Sequence, residues 1–219
     1  MRNLLLFVFV FYNVLAAFAQ SPIEYQGVSI QSGDMFFVVN QRMGLSGAIN
    51  RVTQQNEEAA FDHVGMLEVD GGTIYALHAS AFRGSIREPL DSLLKKDYTD
   101  KTSFVIYRVH DTLQYSVPEA INRAKNMLGK PYNLSYVVND SSYYCSDFVE
   151  QSYRHVNLFE LEPMTFINPD TGLPDTYWVR FYERLGMEVP EGKLGCNPNG
   201  LAAHEGLHRV GTFTGKRNN

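Results

Sequence analysis

Phe61-Asp62-His63-Val64-Gly65-Met66-Leu67-Glu68-Val69-Asp70-Gly71-Gly72-Thr73-Ile74-Tyr75-Ala76-Leu77-His78-Ala79 reads as one strand folded back on another. Asp70-Gly71-Gly72 supplies the positive-φ positions of a tight hairpin turn, and β-branched, aromatic and alternating apolar residues flank it. The return strand brings His78 beside His63, where the two rings can share a face once the register allows it. Gly65 within the first strand marks a point of close approach by another backbone or a ligand.

The chain outside this hairpin alternates further strands with helices. Ser32-Gly33-Asp34 turns into the strand Met35–Val39, and residues 44–54 carry a helical spacing with Leu45, Ile49 and Val52 on one face. Residues 56–60 read as loop. Ser85–Glu88 is a short strand, Pro89 opens a helix over residues 90–96, and Phe104–Val109 is a strand. Pro118 starts a helix whose stripe is Ala120, Ile121, Ala124 and Leu128, and Gly129 stops it. Lys130-Pro131-Tyr132-Asn133 is a turn. A helix follows from Cys145, carrying Phe148, Val149, Tyr153 and Val156. Asp175 caps another over residues 177–185, after an aromatic-rich excursion across residues 160–174. Residues 207–213 form a last strand. The implied class is α+β, an antiparallel sheet or small barrel packed against helices.

The first nineteen residues differ in kind. Arg2, the apolar run Leu4–Phe11 and the Ala17-Phe18-Ala19 exit describe a secretory signal peptide cleaved before Gln20. Residues 20–219 are then expected to form one exported domain, periplasmic or secreted and in possible contact with the cell envelope. With 219 residues, a net charge of -5 and no Lys/Arg cluster, the chain lacks the electrostatic footprint of a nucleic-acid binder. No cofactor is implied.

Cys145 carries the chemistry. It sits in Tyr143-Tyr144-Cys145-Ser146-Asp147-Phe148, where a turn-prone stretch runs into the helix. The free N–H groups of a first helical turn favour negative charge, which is expected to lower the thiol pKa and to cradle the oxyanion of an attacked carbonyl. A thiol nucleophile also needs a base. Of the six histidines, His63, His78, His110, His155, His204 and His208, the first is the strongest candidate, with His78 as its orienter and Tyr75 or Asp62 as rivals. Zinc held by His63, His78 and Cys145 is conceivable, but no CxxC or HExxH supports it. His204 and His208 read as a solvated near-terminal stretch, so no metal site is expected. In an exported chain the ordinary alternative for Cys145 is a disulfide to Cys196.

The order of these motifs is similar to a known pattern. His63-x-Gly65, then His78-Ala79-Ser80, then Leu128-Gly129-Lys130-Pro131-Tyr132 and Tyr143-Tyr144-Cys145-Ser146 together resemble the circularly permuted NlpC-type papain-like enzymes. The likeness is to the YaeF/YiiX/YebB group of amidases, related to the lecithin:retinol acyltransferase family. It covers nearly all of the chain after the leader. The resemblance implies Cys145 as nucleophile, His63 as general base and His78 in the third, polar position. It also implies Ser146, Tyr144 and Tyr132 beside the oxyanion or substrate, and a free rather than disulfide-bonded Cys145. Asn133 stands where aspartate is frequent. The implied activity is hydrolysis of an amide in a small peptide, a cell-wall peptide or an acyl amide. A lipid acyltransferase, a thioesterase or a non-catalytic binding module are the alternatives. The aromatic excursion with Phe159, Met164, Phe166, Tyr177 and Trp178 reads first as a satellite cluster under a long loop, and second as an acyl groove.

Overall fold

The computed structural model describes residues 21–39, 45–53 and 60–215. The expected signal peptide, the side chain of Leu45 and nearly all of the 56–60 loop lie outside them. The strands are β1 (Ile23–Tyr25), β2 (Val28–Ile30), β3 (Met35–Val39), β4 (His63–Asp70), β5 (Thr73–Ser80), β6 (Gly84–Pro89), β7 (Ser103–Val109), the two-residue β8 (Glu162–Pro163), β9 (Ile167–Asn168), β10 (Leu173–Pro174) and β11 (Leu194–Gly195), and β12 (Leu207–Thr214). The helices are α1 (Leu45–Thr53), α2 (Leu90–Asp97), α3 (Val117–Asn126), α4 (Cys145–Tyr153), α5 (Thr176–Leu185) and α6 (Pro198–Ala202).

Six strands form one antiparallel sheet in the order β12-β7-β3-β4-β5-β6. The sheet is open, with β12 and β6 at its edges, so the sheet alternative of the expected architecture holds and the barrel does not. Its inner strands are apolar on both faces because both are covered. On one face Met35, Phe37, Val64, Met66, Leu77 and Ala79 pack with α3 and α4 through Ala120, Ala124, Phe148 and Val149. On the other, Phe36, Val38, Leu67, Val69 and Ala76 pack with Leu90, Leu93 and Leu94 of α2 and with Val28 and Ile30 of the β1–β2 hairpin. A third cluster joins Ala48 of α1, Tyr136, Tyr144 and Phe166 to Trp178 and Tyr182 of α5.

Two details of the sheet position the site. The β4–β5 ladder runs from Asp70↔Thr73 to Met66↔Leu77 and stops there, so His63, Val64 and Gly65 keep only β3 as ladder partner although β5 continues to Ser80. At the far edge β6 is closed by the turn after α3: Ser85 N–H donates to Lys130 O at 2.8 Å and Gly129 N–H to Ser85 O at 2.8 Å. Gly84 makes this approach feasible, since its φ is +70° and a side chain there would run into the Lys130 carbonyl.

Candidate active site

Helix α4 begins at Cys145, with Tyr144 extended as its N-cap, and docks against β4. The Cys145 sulfur faces the backbone N–H groups of Val64, Ser146 and Cys145 itself. The Val64 N–H belongs to the peptide bond that leaves His63, so the thiol rests against the strand segment that carries the expected base. Strand alternation puts Val64 in the layer shared with Cys145, while His63 lies beside Phe36 of the opposite layer, ring centroids 6.0 Å apart. The Cys145 thiol and the His63 ring therefore lie in different layers, and the backbone of β4 at His63-Val64 runs between them. They are not hydrogen-bonded to each other among the described residues.

His63 and His78 do come together, as the hairpin reading expects. His63 Nε2 lies 2.9 Å from His78 Nδ1, with the rings edge to face. Gly65 makes room for this pair: a Cβ there would meet the Phe36 ring at 2.5 Å and His78 Cβ at 2.7 Å. His78 is buried and its Nε2 stands 3.3 Å from Glu88 Oε1 on β6. Glu88 in turn accepts from Arg83 Nη1 at 2.8 Å. Tyr75 is no orienter, because it lies beneath the Arg87 guanidinium, 3.5 Å from its ring centre. Asp62 acts on Cys145 through its charge, disfavouring the thiolate.

The expected depression of the thiol pKa is not what the packing produces. Burial pushes Cys145 up to about 11, against the three N–H groups that favour the thiolate. Burial also holds His63 well below the usual imidazole range, with the His78 charge adding to the effect. The resting pair is therefore a neutral thiol and a neutral imidazole. Burial works to raise the Glu88 carboxyl too, but hydrogen bonds from His78 and Arg83 outweigh it and hold it down at about 2.

Of the other expected residues, Tyr132 turns its hydroxyl toward the Cys145 backbone N–H and the Tyr136 hydroxyl, in surroundings that push its pKa well up by burial. Ser146 Oγ donates to Cys196 O at 3.1 Å, leaving its N–H directed at the sulfur. Tyr144 braces the site: its hydroxyl oxygen accepts the Cys196 N–H at 3.1 Å and sits 3.8 Å from Cys196 Sγ. Cys145 and Cys196 are both free thiols. Asn133 is spent on its own loop, donating to Val137 O at 2.8 Å and accepting from Ser135 Oγ at 2.6 Å.

A cavity of about 1040 Å³ opens beside Cys145 and Ser146. The aromatic excursion forms part of its wall through Phe159, Met164, Phe166 and Trp178, of which Phe166 and Trp178 also belong to the third core cluster. The segment thus forms a packed cluster and at the same time part of a cavity wall. Tyr177 lies outside the lining.

Residues 29–211 match the family model described as permuted papain-like amidase enzyme, YaeF/YiiX, C92 family. The chain is 29% identical over 193 residues to the uncharacterized protein YiiX of Escherichia coli K12, covering 87% of this chain and 86% of that one. Among solved structures it is similar to a crystal structure of "metalloprotein yiiX" from Escherichia coli O157:H7, DUF1105, with a TM-score of 0.68, 24% identity, and coverage of 84% of this chain and 98% of that chain. That likeness shows the fold. The description as a metalloprotein belongs to that protein: here, among the described residues, no group of three or more His, Cys, Asp or Glu side chains could hold a metal ion.

Proposed function

The chain belongs to the permuted papain-like amidases of the YaeF/YiiX, C92 family, and from this premise we propose that it is an exported cysteine hydrolase that cleaves amide bonds. The observation that carries the reading is the Cys145 sulfur set against the peptide N–H that follows His63, with His63 held in turn by His78.

In the proposed reaction the Cys145 thiol proton passes to His63 as the sulfur attacks the carbonyl carbon of the amide. The oxyanion is held by the N–H groups of Cys145 and Ser146 and by the Tyr132 hydroxyl. Collapse of the tetrahedral adduct breaks the C–N bond, and His63 returns the proton to the departing nitrogen. Water, losing a proton to the same imidazole, then cleaves the thioester and releases a carboxylic acid and the free thiol. Because thiol and imidazole are neutral at rest, proton transfer accompanies attack on a bound substrate and no standing ion pair is needed. His78 stays in place as orienter.

The substrate is a small peptide, a cell-wall peptide or an acyl amide. The aromatic wall formed by Phe159, Phe166 and Trp178 favours a substrate with an apolar group near its scissile bond. Export rests on the first nineteen residues, and amino-terminal sequencing of the mature protein should begin at Gln20. Cys145→Ala assayed on a panel of acyl amides and cell-wall peptides should abolish hydrolysis; turnover by that variant rules the mechanism out. The neutral, unpaired resting thiol also favours a second reading, a ligand-binding module on the same fold. That reading predicts saturable ligand binding with no turnover in the unaltered chain.

A further inference from the structure

Beyond the cysteine and the two histidines, one ionised group faces the expected base at one remove. Glu88 is the last residue but one of β6, in register with Ala76 and diagonal to His78, so both side chains leave the sheet on the same face. Its Oε1 is 3.3 Å from His78 Nε2. Its Oε2 takes Arg83 Nη1 at 2.8 Å, with Lys96 Nζ at 3.7 Å from the same oxygen.

We propose that Glu88 is a positioning residue for the hydrolase, fixing through His78 which ring nitrogen of His63 is free to take a proton. A carboxylate only accepts hydrogen bonds, so the nitrogen that faces it, His78 Nε2, carries the proton. A neutral imidazole has one N–H, which makes His78 Nδ1 an acceptor. That acceptor lies 2.9 Å from His63 Nε2, which must therefore donate. The proton of His63 is then fixed on Nε2, and Nδ1 is left with a bare lone pair. When His63 takes a proton on Nδ1, the Glu88 charge also offsets the imidazolium through the intervening ring. The two guanidinium and ammonium partners keep Glu88 ionised, so the arrangement does not depend on substrate. The opposite order, with His78 doubly protonated, would make His63 Nε2 an acceptor and put its proton on Nδ1, where no thiol proton could be received.

The inference rests on His63 serving Cys145, yet its test needs no turnover. Nitrogen NMR of the ring nitrogens in the full-length chain near neutral pH should show both histidines neutral and protonated on Nε2. In Glu88→Gln the second His63 tautomer should become populated, and iodoacetamide labelling of Cys145 should slow by about tenfold. A merely structural Glu88 would change the melting temperature and leave the tautomer as it was. A proton on His63 Nδ1 in the unaltered chain overturns the proposal. So does a Glu88→Gln variant that keeps both the ring spectrum and the labelling rate. Should that variant not fold, the spectrum of the unaltered chain decides alone. Loss of the proposed hydrolase reading, through a Cys145→Ala variant that still turns over, would leave the ring spectrum unchanged, so the two failures are distinguishable.

Discussion

At Cys145 three backbone N–H groups draw negative charge toward a sulfur that the surrounding core keeps from water. The rate of iodoacetamide labelling at Cys145, followed by mass spectrometry to separate it from Cys196, should climb with pH through about 11, whereas an ordinary thiol levels off near 9. Labelling that has already levelled off near neutral pH would mean a preformed thiolate and imidazolium instead. The sequence placed this cysteine at a helix start correctly, because turn-prone residues before an apolar stripe are a local feature, whereas the layer to which the His63 ring turns was not legible. The sign of the thiol shift was not legible. It depends on Phe148, Val149 and the β4 layer closing over the sulfur, and burial is a property of the assembled core. Glu88 was equally hidden, since nothing in Ser85-Ile86-Arg87-Glu88 says which neighbour across the sheet its carboxylate will meet.

The hairpin β4–β5 shows what an element can and cannot reveal. Asp70-Gly71-Gly72 fixed the turn, and the two histidines met as expected, but the point at which the ladder stops, Met66↔Leu77, was not legible in the sequence. Gly65→Ala tests how tight this region is. The added methyl must displace the Phe36 ring or His78, and we expect a loss of about 1–3 kcal/mol in denaturant unfolding together with lost hydrolysis. Full stability and activity in that variant would show that the His63–His78 pair tolerates a shift. Several elements went unread, the two-residue strands β8 to β11 among them. The β1–β2 hairpin turns on Gln26 and Gly27, with φ of 48° and 80°, and glutamine is a poor marker of a left-handed position. Helix α6 has no counterpart in the sequence reading although Asn197 caps it, accepting Gly200 N–H at 2.9 Å, and Pro198 follows at its first position. Asn-Pro before a short apolar run was the available signal.

For the molecule as a whole, buried ionisable groups pull stability in opposite directions across the pH scale. Asp147, fully buried on α4 with its Oδ1 taking Gln151 at 2.7 Å, is raised by burial from 3.8 to about 7. The folded chain therefore holds a proton there that the unfolded chain releases, and stability falls as pH rises from about 4 to about 7. His63 works the other way, because its lowered pKa means that folding expels a proton below the ordinary imidazole range. Asp147→Asn separates the two. We expect it to gain up to about 4 kcal/mol at neutral pH and nothing at the acid end, read from unfolding curves at several pH values. An equal change at both ends would assign the effect to packing. The fold class itself was legible at this scale, because the order of strand histidine, return strand and helix cysteine resembles that of the permuted papain-like family. The open sheet, and the placing of the third aromatic cluster beside the cavity, follow from contacts between segments far apart in the chain.

The stretch from His63 to Glu88 is three consecutive strands joined by tight turns, each paired with the one before it. Contacts so near in sequence need little loop closure to form, whereas Cys145 reaches the same place only after α2, β7 and α3 have been laid down in between. The proton-handling half of the centre is thus a self-contained meander that can assemble early in folding. The nucleophile joins it through contacts that close a loop of more than fifty residues, the costlier closure of the two.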